Sequence, residues 1–469
     1  MRKLNRILLF CIVLFNAESA VAQKQDSLKL SHKEFIDIVK KYHPLAYRYR
    51  IQNKIAEEEI NKARGNFDPV LAAKVGSKSI DGVDYYDMKN AGLEVPTWYG
   101  VDFNGSYNYI DGDKLNNSDT RGGLYQFGVT IPLAKNLIYD NRRAVLDQAR
   151  FAQDMTEAEQ KILTNELMLN ADNAYWDWVR NYEIYNLQSS MVEISKNRLA
   201  FINKTLSFGE TAAIDTVEAI SQMQNFELKM QEAYLGYVKS IQNIQLFLWK
   251  ENQEIYEING LLAPNETLRE NPFENDYAAL IEDIQNSSID NHILLQYYNS
   301  KENILNSEKR LKFQSFLPKL DFTYNFFNKD GYKADYFPMF QSNYQYGIKM
   351  EIPVFLRKAR ADYQIAKSKI LQNKLDTDYK RKELETKIEA YKNEVLIYHN
   401  QIDISEKNIA NYRRLLAAEE TRYGNGESSL FLINNRKNKL IDAQEKNIEL
   451  RLKFLKGLNN LKWLNEGFK

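Results

Sequence analysis

Residues 346–354 read Tyr346, Gly347, Ile348, Lys349, Met350, Glu351, Ile352, Pro353, Val354. Apolar side chains take every second position and small or charged ones lie between them, which predicts a strand with one apolar and one wet face. A helical pattern free of glycine and proline follows, from about residue 360 to 422. Because the fixed φ of proline suits the first turn of a helix, we interpret Pro353 as a strand-to-helix junction.

An earlier segment repeats this pattern: Tyr125, Gln126, Phe127, Gly128, Val129, Thr130, Ile131, Pro132, Leu133. A second echo pairs His43 and Pro69 with His292 and Pro318, both separated by 26 positions. The echoes occur in the same order, so the sequence predicts a two-fold internal repeat. We expect a first repeat over residues 23–250, a linker over 251–276 and a second repeat over 277–469.

The N-terminus predicts the compartment. Arg2, Lys3 and Arg6 precede an apolar run over residues 7–15, and small residues lead to a cleavage site after Ala22, as in a secretory signal peptide over residues 1–22. A membrane anchor is the alternative, but the run is shorter than the roughly 20 residues that a spanning helix needs. The only cysteine, Cys11, lies within this segment.

Each repeat predicts a helix, two strands and a long helical hairpin. In the first repeat these are helix 31–65, strands 98–111 and 122–132, and hairpin 135–250. Residues 70–97 are an insertion with some strand character, whose path the sequence does not predict. In the second they are helix 277–313, strands 319–328 and 343–353, and hairpin 357–465. A helix that runs from about 141 to 206 would be roughly 100 Å long, which exceeds a globular core.

A glycine turn ends each long helix, near residues 207–213 and 423–428. The first turn contains Phe208, Gly209, Glu210 and Thr211, and the second contains Tyr423, Gly424, Asn425 and Gly426. Glycine adopts the positive φ of a helix C-cap, so both turns are predicted to be tight hairpin tips.

The strands suggest a membrane. Four alternating segments of about ten residues match bilayer-spanning strands, but known barrels start at eight strands. Three copies would supply twelve, so the prediction is a homotrimer that closes one barrel. Four strands of a small soluble sheet are the alternative.

The sequence contains no motif that indicates a catalytic site. The four histidines lack metal-ligand spacing, and no glycine-rich phosphate loop precedes a helix. We therefore predict no enzyme activity, no cofactor and no metal site. The 63 basic and 63 acidic residues cancel, which gives no electrostatic reason to expect nucleic acid as a partner.

This order of elements resembles the TolC-type outer membrane efflux proteins. The most specific similarities are the segments 128–133 and 347–354, the arginines that follow them, and the tip with Gly209 and Asp215. The resemblance implies a predominantly helical α+β fold with a trimeric 12-stranded outer-membrane β-barrel and a periplasmic α-barrel. It implies a passive duct of a tripartite efflux or type I secretion system in a Gram-negative cell envelope. Its partners would be a periplasmic adaptor, docked at the tips, and an inner-membrane pump.

One departure concerns the periplasmic aperture. Asp215 fits the tip pattern of the family in the first repeat, whereas the second has no aspartate there and offers only Glu427. Either residue could instead simply favour a helix start through the helix dipole. For the whole chain, the alternative to a duct is a periplasmic coiled-coil adaptor or scaffold without a pore.

Overall fold

The computed structural model describes residues 28–116, 118–209, 211–258, 262–269, 277–330 and 343–467. Its helices are α1 (His32–Tyr42), α2 (Pro44–Arg64), α3 (Asn141–Ser207), α4 (Ala213–Gln245), α5 (Tyr277–Asn286), α6 (Ile293–Gln314), α7 (Arg357–Gly424) and α8 (Leu430–Glu466). Its strands are β1 (Leu28–Leu30), β2 (Val70–Ile80), β3 (Val83–Pro96), β4 (Asp102–Asp111), β5 (Gly122–Pro132), β6 (Leu262–Pro264), β7 (Lys319–Lys329) and β8 (Tyr344–Glu351). The predominantly helical α+β class is confirmed. The predicted signal peptide, with Ala22, lies outside the described residues.

The described chain divides into two compact units. Among the described residues, one unit takes those within 1–47, 166–283 and 389–463, and the other takes those within 48–165, 284–388 and 464–469. Each unit therefore draws on both predicted repeats. No helix in the described ranges is long and apolar enough to cross a membrane.

The described part of the second unit contains an antiparallel sheet in the order β2-β3-β4-β5-β7-β8. The first repeat joins the second between β5 and β7, where the pairing runs from Leu124 opposite Lys329 to Pro132 opposite Asp321. β4 begins at Asp102 rather than at residue 98, because residues 97–101 form a turn in which Gly100 has a φ of 82°.

The segment predicted as an insertion, residues 70–97, forms the hairpin of β2 and β3. Asp81 and Gly82 connect the two strands with φ values of 53° and 76°, the left-handed values that a tight type I′ hairpin requires. Within the described residues, the first repeat thus contributes four strands to the sheet and the second contributes two. The expectation of two strands from each repeat misses this hairpin.

The predicted helices 31–65 and 277–313 are each interrupted in the structure, at His43 and at residues 287–292. Both repeat histidines have extended backbone, and the Nδ1 of each accepts an amide N–H two residues onward. The bonds are 3.2 Å from Leu45 to His43 and 3.1 Å from Leu294 to His292. The repeated histidines therefore cap the following helices.

His292 should make the stability of the fold depend on pH. Burial lowers the pKa of its imidazole to about 4, below the ordinary 6.5. The neutral ring is favoured in the folded chain, so its contribution is complete above pH 6.5 and is lost as the pH falls towards 4. We expect His292→Asn, which keeps a capping side chain but does not titrate, to lose about 2–3 kcal/mol less stability between pH 7 and 4.5 than the parent.

Urea unfolding followed by circular dichroism at the two pH values measures this difference. His292→Ala is the control for the cap itself, and it should lose about 1 kcal/mol already at pH 7. Equal pH dependence of the parent and His292→Asn would contradict the assignment.

The core of the first unit fixes part of the predicted linker. β1 and β6 pair in parallel, from Leu28 opposite Leu262 to Leu30 opposite Pro264. The Tyr175 hydroxyl donates to the Leu30 carbonyl at 3.0 Å, and the Tyr237 hydroxyl donates to the Leu262 carbonyl at 2.6 Å. Residues 262–264 are therefore anchored to α3 and α4.

Candidate functional site

One face of the six-stranded sheet is largely apolar, with Asp87 and Lys89 of β3 as charged exceptions. A single row across it contains Val95, Phe103, Val129, Tyr324 and Tyr346, one from each of β3, β4, β5, β7 and β8. Phe103 and Tyr346 of this row are exposed, as are further members of the same face: Leu71, Val75, Leu93, Tyr125, Phe127, Tyr344, Ile348 and Met350. An exposed apolar surface of this extent is typical of a face that contacts lipid or another protein.

The opposite face is polar and rich in amides. The neighbouring row contains Glu94, Asn104, Gly128, Asn325 and Gln345, on the same five strands. The buried amide oxygens of Asn104 and Asn325 have no protein partner within the described residues. Since such groups are costly in an apolar medium, this is the face of the sheet that suits water.

Side-chain hydrogen bonds link the strands along this polar face. The Asn90 amide donates to Asn108, and the Asn108 amide donates to Gln126 at 3.4 Å. Gly128 lies where a Cβ would collide with the amide oxygens of both Asn104 and Asn325. The absence of a side chain at Gly128 therefore lets the two amides flank it.

The two predicted junction prolines lie at strand ends and not in the first turn of a helix. Pro132 is the last residue of β5, and residues 133–140 separate it from α3. Pro353 follows β8, and residues 354–356 separate it from α7. Asn136 and Leu356, with φ values of 73° and 49°, turn the chain within these connections. The prolines thus end the strands, and other residues begin the helices.

Asp140 begins α3 and ties it to the sheet. Its carboxylate accepts the backbone N–H of Arg143 at 2.9 Å and lies 3.1 Å from the Arg143 Nε. Arg142 lies 3.4 Å from Asp140 and donates to Asp102 of β4 at 2.8 Å. Arg143 also donates to the carbonyls of three preceding residues, 136, 137 and 138. These contacts fix the direction in which the chain leaves the sheet.

A polar cleft of about 610 Å³ lies beside this network. Its walls include Asp102 and Arg142, together with Lys319, Asp321 and Lys358. Opposite charges pair across short distances there, for example Lys319 and Asp321 at 3.4 Å. The end of the sheet nearest the helices is therefore lined by charges of both signs.

The first tip is a tight turn between α3 and α4. The Gly209 amide donates to the Leu206 carbonyl at 2.9 Å, and the φ of Gly209 is 73°. The Thr205 and Thr211 hydroxyls lie 3.2 Å apart, while Phe208 is 68% exposed. Glu210 lies outside the described residues.

The second tip contains two glycines with different roles. Gly424 is the last residue of α7, and the positive φ, 78°, belongs to Gly426. The Glu427 amide donates to the Arg422 carbonyl at 2.9 Å, which closes the turn within the predicted range 423–428. The Ser428 hydroxyl then donates to the buried Glu419 at 2.6 Å.

Apolar packing holds the two tips together. Ile202, Ala219 and Leu430 form a buried cluster, against which Tyr423 packs. Burial raises the pKa of the Tyr423 hydroxyl, and the negative charge of Asp215 raises it further. Asp215 lies in the first turn of α4 and is partly buried, whereas Glu427 is exposed in the turn itself.

A polar network next to this cluster joins all four hairpin helices. Arg198 lies 3.2 Å from Glu420 and donates to Asn434 at 3.4 Å, and Asn434 donates to Glu218 at 3.1 Å. Burial, aided by the positive charge of Arg198, lowers the pKa of Lys437 to about 8. This network was not predicted, because its members are far apart in the sequence and carry no local motif.

Within the described ranges, no group of three or more histidine, cysteine or acidic side chains is arranged to hold a metal. Residues 305–464 match the family model described as outer membrane efflux protein. No curated protein matches the sequence.

Solved structures match nearly the whole chain. The outer-membrane channel OprN aligns with a TM-score of 0.64 and 11% identity, covering 93% of this chain and 89% of its own. The CmeC channel of Campylobacter jejuni gives 0.62 and 13%, with 93% and 85% covered. The open MtrE channel of Neisseria gonorrhoeae gives 0.61 and 11%, with 93% and 88% covered. The chain has the fold of an outer-membrane efflux channel.

The predicted resemblance to the outer membrane efflux proteins is thus confirmed. The description of the matched family, outer membrane efflux protein, agrees with the predicted location in the outer membrane. The matched family consists of channel proteins rather than enzymes.

Proposed function

We propose that three copies of the chain form a passive duct through which solutes leave the cell. The observation that carries this proposal is the sheet, whose one face is apolar and exposed while the other is lined by amides. Such a sheet suits a wall with lipid on one side and water on the other. The polar face would line the lumen, and the helical hairpins would continue the duct into the periplasm. Transport needs no chemistry from the chain itself.

The tips are the proposed docking sites for a periplasmic adaptor, which connects the duct to an inner-membrane pump of an efflux or type I secretion system. Phe208, Ile214 and Phe431 support this role, since they are 68%, 71% and 62% exposed. Large apolar side chains exposed together are typical of protein interfaces. The remaining predicted tip residues, Gly209, Glu210, Thr211, Tyr423, Gly424, Asn425 and Gly426, belong to the same proposal.

Asp215 and Glu427 are proposed to line the closed periplasmic aperture. In a trimer they would contribute up to six carboxylates, and opening would require the tips to part. Asp215 lies in the first turn of α4 and Glu427 shortly before α8, where a negative charge also interacts favourably with the helix dipole. If neutralising both residues left the ion selectivity of the pore unchanged, only this dipole role would remain.

Current through planar bilayers tests the duct directly. Purified trimers should give discrete conductance steps, and a folded protein that never forms pores would overturn the proposal. The alternative, a pore-less periplasmic adaptor, predicts that the chain stays in the soluble fraction when cell envelopes are separated. The exposed apolar face of the sheet favours the membrane fraction.

The tips offer a matched pair of glycines. We expect Gly426→Val to strain the second turn by about 1–3 kcal/mol, because valine disfavours the positive φ there. Gly424→Val should have little effect, since that residue has no positive φ and its Cβ would meet nothing. Export of a fluorescent substrate from cells, at equal channel abundance, measures the difference. Equal export by the two variants would argue against the tip as a docking site.

A further inference from the structure

The described sheet of this chain has six strands, whereas a twelve-stranded barrel made by three chains would need only four from each. In the hairpin of β2 and β3, β3 pairs with β4 along the entire length of β4, from Asp87 opposite Asp111 to Pro96 opposite Asp102. Every residue along this edge of β4 is therefore already paired with a residue of β3. A neighbouring chain has no access to β4 unless this whole pairing is broken.

The hairpin of β2 and β3 has the properties of strands in the wall of a membrane-spanning barrel. β2 and β3 are 11 and 14 residues long, which meets the roughly 9–11 residues that a tilted spanning strand needs. Leu71 and Val75 of β2 and Leu93 of β3 lie on the same apolar face as Phe103 of β4. On the polar face, Asn90 of β3 extends the row of amides.

Among the residues that the structure describes, β2 and β8 form the free edges of the sheet. All eight residues of β8 are exposed, as are all residues of β2 except Gly76. Five successive antiparallel pairings separate these edges, so β2 and β8 run in opposite directions. An antiparallel contact between the β8 of one chain and the β2 of the next is thus possible in a closed ring.

We propose that the occupant of each free edge is a second copy of this chain, with β8 paired to β2, and that the trimer closes an eighteen-stranded barrel. This inference rests on the proposed trimeric duct. Six strands from each of three chains make eighteen, where four strands from each would make twelve. Because barrel diameter grows roughly in proportion to strand number, the lumen would be about one and a half times as wide.

Disulfide cross-linking between chains tests the contact, since the only natural cysteine, Cys11, lies in the predicted signal peptide. One cysteine is placed on the apolar face of β8, by Tyr346→Cys, Ile348→Cys or Met350→Cys. The second is placed either on β2, by Leu71→Cys or Val75→Cys, or on the matching face of β4, by Phe103→Cys or Tyr107→Cys. Purified full-length protein in detergent is oxidised and run on non-reducing gels.

We expect covalent dimers and trimers from at least one β8–β2 combination and from none of the β8–β4 combinations. Cross-linking through β4 would overturn the eighteen-stranded barrel in favour of a narrower one. The pair Phe322→Cys and Ile348→Cys, which lie opposite each other within one chain, is the control for folding and oxidation.

Light scattering separates the remaining outcomes. A trimer that cross-links through neither strand would overturn the β8–β2 contact and leave the proposed duct intact. A monomer that conducts no current would overturn both.

Discussion

Gly112→Val should be among the most destabilising single substitutions in the sheet. Gly112 follows β4 with a φ of 150°, and an added Cβ would lie 2.7 Å from the Tyr86 Cα and 2.9 Å from the Tyr85 carbonyl carbon. These are backbone atoms of β3, which cannot move aside without breaking strand pairing. Strain and overpacking together should cost about 2–5 kcal/mol.

The temperature at which the proposed trimer dissociates on mild detergent gels measures this effect. Gly122→Val is the matched control: its φ of 98° is also positive, but a Cβ there would meet no atom within 4 Å. It should show the strain without the collision, and hence the smaller loss. If both variants dissociate at the same temperature, the contact between β3 and the residue after β4 is not formed in the assembled protein.

Asp140→Ala should loosen the connection between sheet and helix. The carboxylate of Asp140 is 8% exposed, caps α3 and balances two arginines. Its removal deletes the cap and leaves positive charges less well paired, while Arg142 keeps Asp102 and Arg143 keeps its carbonyls. We therefore expect a loss of about 2–4 kcal/mol, at the lower end of what breaking a buried ion pair costs.

Thermal unfolding of the helical signal measures this loss. Asp140→Asn retains an oxygen that can cap the helix, so it should lose roughly half as much. Asp154→Ala, an exposed position on the same helix, should change stability by less than about 0.5 kcal/mol. A parent-like Asp140→Ala would show that the helix start does not depend on this carboxylate.

Strands whose side chains alternate could be predicted from the sequence. β5 begins and ends at the predicted residues 122 and 132, and β7 extends one residue past its predicted end. The alternation of Tyr344, Tyr346, Ile348 and Met350 likewise specifies an apolar face, which the register confirms. Local patterns suffice here because each of these strands has one apolar face and one polar face, and the two alternate along the sequence.

The hairpin of β2 and β3 was harder to assign from alternation alone. Beyond Val75, the positions of β2 that would continue its apolar face are Ser77 and Ser79, so the alternation of apolar and polar residues is weak there. A local signal was nevertheless present in Asp81 and Gly82, a dipeptide that favours tight hairpins. The signal for Asp140 was similar, because aspartate is a preferred residue directly before a helix.

Contacts between distant segments could not be predicted. The bond from Asn434 to Glu218 and the cleft beside Arg142 depend on how hairpins and strands meet in space. The interruption of both predicted helices at histidine residues was also missed, because His43 and His292 stand within apparently continuous helical patterns. Their role becomes visible only when the ring nitrogen is seen to accept an amide N–H.

The unlike edges of the sheet bear on how a ring would assemble. A single chain has one free β2 edge and one free β8 edge, and joining a second chain in the proposed manner leaves the same two edges unpaired. Only the arrival of the third chain removes both at once. Assembly by this contact is therefore cooperative: dimers gain no closure, and the stable product is the complete ring.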